Sequence, residues 1–336
     1  MLSRPRAREL GIEPGQFPPG PANAITDVSG VRVGHTTVRD PTMINTGVTA
    51  IIADPVLERR PVPAGLVVGN GYGKLIGATQ LVELGEIETP VLLTATLSAF
   101  GVADALVSWL LERPGFESVT SINPVVGETN DGPLSDIRRR PITAEHVRAA
   151  LDGADTDPPA EGCVGAGTGT SALGYKGGIG TASRVVQLDG RPVTLGALVQ
   201  SNFSGTLRVQ GQPVPPPELI TDDPEVADDG NSCMIILATD APVDARQLTR
   251  IARRGLYGME RVGANWHGNS GDYAIAFSTT IGALPVPDST LHGLFLAAVE
   301  VVEEALLNSL FTATTTVGFT RTQHALPLTR WGGPAD

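Results

Sequence analysis

Short runs alternating between apolar and polar residues dominate the first third of the chain, and period-2 alternation is the mark of a half-buried strand. Val28–Val38, Thr46–Val56 and Gly65–Asn70 read as strands on this basis. A helix is predicted over Lys74–Leu84, and a strand over Pro90–Thr96. Ala99–Arg113 switches to helical spacing and stops at Pro114, which cannot continue a helix. The run SVTSINPVVGE predicts a strand that enters a polar turn, Gly127–Gly132, and Ile142–Gly153 reads as a short amphipathic helix. Three strand patterns follow: CVGAGTGT, SRVVQL and VTLGALVQSNFSG. A Pro- and acid-rich stretch, PPPELITDDPEVADDG, then runs up to Asn231. Beyond it come a strand to Thr239, a helix over Asp244–Gly263 and a strand over Asp272–Thr280. A final long helix sets Leu291, Leu294, Phe295, Ala298, Val302, Ala305 and Leu306 on one face. Helix and strand patterns alternate in mixed order without a repeat of fixed period, so a layered α/β protein with helices packed on sheets is expected. The acidic stretch divides the sequence, but strands on either side of it fit one sandwich.

Composition narrows the function classes. The 336 residues are 41% hydrophobic but only 4% aromatic, with 40 Gly and 27 Pro, which favours tight turns and close backbone packing over a helical bundle. The formal charge of −12 comes with no long basic run. Nucleic acid is thereby excluded as an expected partner, since phosphate binding needs a basic surface. No apolar run reaches the length of a membrane span, and the N-terminal residues lack the apolar core of a secretory signal, so a soluble, cytoplasmic protein is expected. Cys163 and Cys233 are the two cysteines. They lack metal-ligand spacing and are too few for a disulfide framework, while a single bridge between them stays open. The five histidines form neither HxxxH nor HExxH, so no metal site is expected. His267 is the imidazole best placed in sequence for catalysis, and a loop position on the surface accounts for it equally. There is no GxSxG elbow, and the Gly-rich segment Gly165–Ser183 is not followed by the helix that a phosphate loop requires.

The junction at Asn231–Ser232 is the most suggestive chemistry. A small hydroxyl residue opens the apolar run Cys233–Thr239 directly after the acidic stretch. Cleavage before Ser232 would give one residue both a hydroxyl and an α-amine that titrates near ~8, a nucleophile and base together. An ordinary loop-to-strand boundary explains the same pattern. Ser270 and Asp272, two apart at a strand start, suit an amine-orienting or proton-relaying pair, or else a turn in which both bond local backbone. Asn202, ending an apolar strand, suits an oxyanion donor or a turn residue ahead of Gly205. Glu128 suits a charge-assisted bond to a substrate ammonium or a solvated turn.

A set of longer motifs resolves these alternatives by resemblance. NAITDVSGVRVGHTT, NTGVTAI, NGYGK, PVVGETNDG, GAGTG, KGGIGTASR, QSNFSG, NSCMIILATDAP and GNSGDYAIAFST occur in this order from residue 23 to about 281, with QHALPL in the tail. The chain resembles the family of L-aminopeptidase/D-esterases and β-peptidyl aminopeptidases, self-processing hydrolases with an N-terminal serine. The resemblance implies a four-layer αββα sandwich, akin to the N-terminal-nucleophile hydrolases but with different connectivity. It implies a single domain cut between Asn231 and Ser232 into subunits 1–231 and 232–336, with Ser232 as nucleophile. Ser270 and Asp272 then support the nucleophile and its amine, Asn202 stabilises the oxyanion, and Glu128 lies in the pocket for the substrate's amino end. The substrates implied are short peptides, amides or esters, with no metal or organic cofactor, in a homo-oligomer of processed heterodimers. Two departures stand out: Asp272 is a Glu in some relatives, and Pro133 stands where relatives often carry an aromatic residue. Acyl transfer, as in ornithine acetyltransferases of related architecture, and a non-catalytic binding protein on the same scaffold are the competing readings.

Overall fold

The computed structural model describes residues 4–214 and 232–334. Its ten principal strands are β1 (Val31–Asp40), β2 (Ile44–Ala53), β3 (Val62–Gly71), β4 (Glu86–Ile87), β5 (Val91–Ala95), β6 (Val125–Thr129), β7 (Ile179–Leu188), β8 (Arg191–Asn202), β9 (Ser232–Thr239) and β10 (Gly271–Ser278). They form a four-stranded sheet in the order β1-β2-β5-β6 and a six-stranded sheet in the order β4-β3-β10-β9-β8-β7. Five helices accompany them: α1 (Ala78–Leu84), α2 (Ala99–Leu111), α3 (Ala144–Asp152), α4 (Ala245–Val262) and α5 (His292–Phe311).

The apolar patterning explains the layering. Every residue of β2, β9 and β10 is buried, as expected of central strands covered on both faces. Along β9 the side chains alternate. Cys233, Ile235 and Leu237 enter the core beneath α4 and α5, whereas Met234, Ile236 and Ala238 enter the core between the two sheets. Helices α2 and α3 cover the outer face of the four-stranded sheet. The result is the expected αββα sandwich. Helix α4 starts where Asp244 accepts a bond from the Gln247 amide (2.7 Å) and the Gln247 side chain returns one from the Asp244 amide (3.2 Å), a capping box. It ends at Gly263, in the left-handed conformation.

Three elements differ from the sequence reading. Of SVTSINPVVGE only the end is strand: β6 starts at Val125, directly after Pro124, which has no amide to give a ladder, and it runs to Thr129 into the expected turn. CVGAGTGT is not a strand but irregular backbone with a 3₁₀ turn at Gly165–Gly167. Threonine hydroxyls of the first sheet take its amides, Thr37 on Gly165 and Thr49 on Ala166, so no ladder forms there. The helix expected from Lys74 starts only at Ala78, because the backbone before it is held extended: the Lys74 amide bonds Glu128, and Ile76 bridges to Val126. Cys163 and Cys233 are both free and buried. Among the described residues no helix is long and apolar enough to cross a membrane.

Candidate active site

Strand pairing gathers Ser232, Asn202, Ser270 and Asp272 at one end of the six-stranded sheet. Ser232 opens β9 with β8 on one side and β10 on the other. Asn202 is its antiparallel partner, and Gly271 its parallel one. Directly opposed residues of an antiparallel pair bring their Cβ atoms to within about 5 Å. Ser232 is only 5% exposed, and its Oγ accepts a bond from the Gly271 amide at 3.3 Å.

Asn202 is buried and fixed at both ends of its amide. Its Oδ1 accepts from the Ser171 amide (2.9 Å), and its Nδ2 donates to the Asn130 carbonyl (3.1 Å). An amide carries two N–H donors, so this contact commits one of them. On the other flank the Ser270 hydroxyl donates to Asp272 Oδ1 at 2.8 Å. Burial raises the Asp272 carboxyl above its ordinary pKa, against hydrogen bonds from Ser270 and Asn70 that hold it down. With its one hydroxyl proton given to Asp272, Ser270 can meet any further partner only as an acceptor.

Glu128, at the end of β6, is almost wholly buried. Its Oε1 accepts from the Lys74 amide at 2.7 Å, and its Oε2 from the Thr96 hydroxyl. Both carboxyl oxygens thus take a donor from the chain itself. The His267 side chain is exposed on the loop before β10, while its carbonyl accepts from the Ser270 amide and from Asn70 Nδ2. Asn231 lies outside the described residues. No group of three or more His, Cys, Asp or Glu suited to a metal ion occurs among the described residues.

Sequence reasoning overlooked the segment that joins these parts. Asn70 donates to Asp272 Oδ2 at 3.1 Å, the Tyr72 amide bonds the Ser270 carbonyl, and the Gly73 carbonyl accepts from the Tyr273 hydroxyl at 2.7 Å. The NGYGK motif was the signal, but its role emerges only from the pairing of β3 with β10.

With this geometry in place, comparison with known proteins is informative. The model of peptidase family S58 matches residues 23–324. The chain belongs to that family. It is 39% identical to the β-peptidyl aminopeptidase of Sphingosinicella microcystinivorans, over 94% of this chain and 87% of that one. A β-aminopeptidase structure from Burkholderia sp. superposes with a TM-score of 0.89 at 39% identity, covering 97% of each chain. The L-aminopeptidase D-Ala-esterase/amidase of Ochrobactrum anthropi superposes at 0.88 with 37% identity, covering 98% of this chain and 99% of that one. That structure is described as a prototype for the serine aminopeptidases and a variant of the Ntn-hydrolase fold. The S58 chain thus shares its fold with both structures over nearly its whole length.

Proposed function

We propose that this S58 peptidase cuts its own chain before Ser232 and then, as an aminopeptidase, removes the N-terminal residue from short peptides, amides or esters. The observation that carries the reading is the position of Ser232: a buried serine opening a central strand, opposite Asn202 and beside the Ser270–Asp272 pair. In maturation, Ser232 Oγ attacks the Asn231 carbonyl and the peptide nitrogen leaves as the new α-amine. Water then hydrolyses the ester. In turnover, the neutral α-amine accepts the hydroxyl proton, directly or through Ser270, as Oγ attacks the substrate carbonyl. The Asn202 amide supplies a donor to the oxyanion, an interaction worth about 3–4 kcal/mol in acyl transfer. Glu128 receives the substrate ammonium. The proton passes to the leaving amine, and water resolves the acyl-enzyme. Apart from water and substrate, the groups in this scheme come from the chain itself.

Mass spectrometry of the purified protein tests the first step. Two polypeptides are expected, the second beginning at Ser232, whereas Ser232→Ala should remain one chain and hydrolyse no aminoacyl p-nitroanilide. An intact, active wild-type chain would overturn the proposal.

A further inference from the structure

Residues 70–74 touch both ends of the site. At one end, Asn70 holds the Asp272 carboxyl, and the Tyr72 amide holds the Ser270 carbonyl. At the other, the Lys74 amide holds Glu128. Between them Gly73 lies flat against Gly271, the residue whose amide bonds the Ser232 hydroxyl. A Cβ on Gly271 would fall 2.5 Å from Gly73 Cα and 3.2 Å from Ser232 Oγ. A Cβ on Gly73 would fall 3.0 Å from Gly271 Cα, 3.2 Å from Glu128 Oε1 and 3.3 Å from the Tyr273 ring. The two glycines therefore let the backbone beside the nucleophile touch the backbone beside the carboxylate, with no room for a side chain between them. The Tyr273 hydroxyl on the Gly73 carbonyl fastens this contact.

We propose that residues 70–74 form a fixed gauge between Ser232 and Glu128, which selects the number of atoms separating the amino group of the substrate from its scissile carbonyl. The inference rests on Glu128 being the ammonium anchor. A charge-assisted bond fixes the ammonium at about 2.8 Å from the carboxylate, and attack requires the carbonyl carbon at about 3–3.5 Å from Oγ. One extra methylene moves that carbon by roughly 1 Å, and a misplacement of that size costs on the order of 100-fold in rate. A rigid separation thus discriminates α-aminoacyl from β-aminoacyl substrates, whereas a yielding one does not. Gly73 and Tyr273 are positioning residues in this account, since they act through Glu128 and Gly271.

The test compares kcat/KM for alanyl, β-alanyl and propionyl p-nitroanilides, the last lacking the amino group. In wild type the α and β substrates should differ at least tenfold. Gly73→Ala, which wedges a methyl between Gly271 and Glu128, should shift the β/α ratio at least tenfold toward the longer substrate. Tyr273→Phe, which adds no bulk and stays measurable if the alanine variant does not fold, should move the ratio toward one while raising KM more than it lowers kcat. A wild-type ratio within threefold of one, or folded variants that keep the wild-type ratio to within twofold, overturns the gauge. Glu128→Gln separates the two ideas. If it abolishes the preference for alanyl or β-alanyl over propionyl substrate while Gly73→Ala and Tyr273→Phe leave the ratio alone, only the gauge is wrong. If that preference survives Glu128→Gln, the anchor itself is wrong.

Discussion

Asp131, one residue past the Asn130 carbonyl that holds Asn202, is 2% exposed. Burial pushes its pKa up to about 7, and the Glu128 charge adds to the push, against the Lys176 charge. In the unfolded chain it titrates near ~4. Between those values the folded state holds a proton that the unfolded state has released, so stability falls as pH rises from about 4 to about 7 and stays low above. Asp131→Asn should flatten that slope by one proton, about 1.4 kcal/mol per pH unit. Urea midpoints from pH 4 to 8, measured in the uncleaved Ser232→Ala background, would show it; parallel profiles for the two chains would refute it. Glu161, also raised to about 7 by burial, leaves a slope of the same sign in both. At this scale sequence reading reached residues whose neighbours are close along the chain. Ser270 and Asp272 stand two apart, and their hydrogen bond is what that spacing offered. Asn70 meets Asp272 across 202 positions, and no local pattern encodes such a meeting.

Among the elements, the long helices were legible because their apolar residues recur at helical spacing and their ends carry Asp244 and Gly263. The Gly-rich segment from Cys163 was not, because its hydrogen bonds go to threonine side chains of another sheet, and a strand-like composition does not record its partner. Strand β7 shows how closely elements are seated. A Cβ on Gly180 would lie 1.9 Å from the Ala305 carbonyl and 2.6 Å from the Ser309 amide, both on α5. Gly180→Ala therefore has to push α5 off the sheet. An expected loss of about 2–4 kcal/mol in urea unfolding is at or above the overpacking range, because the obstacle is backbone. A loss below 0.5 kcal/mol would show that the helix can slide.

Across the whole molecule, the N-terminal arm is tied in by a buried ionic cluster. Arg184, with no exposed side-chain surface, meets Glu304 at 2.6 Å and Glu300 at 3.4 Å, and donates to the Pro14 carbonyl at 2.7 Å. Arg8 reaches the same Glu304 at 2.8 Å. Removing one partner of a buried pair leaves an uncompensated charge and costs about 3–5 kcal/mol. Arg184→Met should lose that much in urea unfolding and free the arm for limited proteolysis near Pro14. An equally protected arm would show that apolar packing holds it instead. The layered architecture was legible from the alternation of helices and strands. That strands on both sides of the acidic stretch belong to one sandwich was legible as well, but the strand order was not, since β9 and β10 lie between β8 and β3. That arrangement bears on the history of the molecule. A cut before Ser232 leaves the second polypeptide supplying two strands in the middle of a sheet whose remaining four belong to the first. With the proposed cut, the chain would fold once as a single molecule, whereas recovery after denaturation would require an encounter between two, with a yield that depends on concentration.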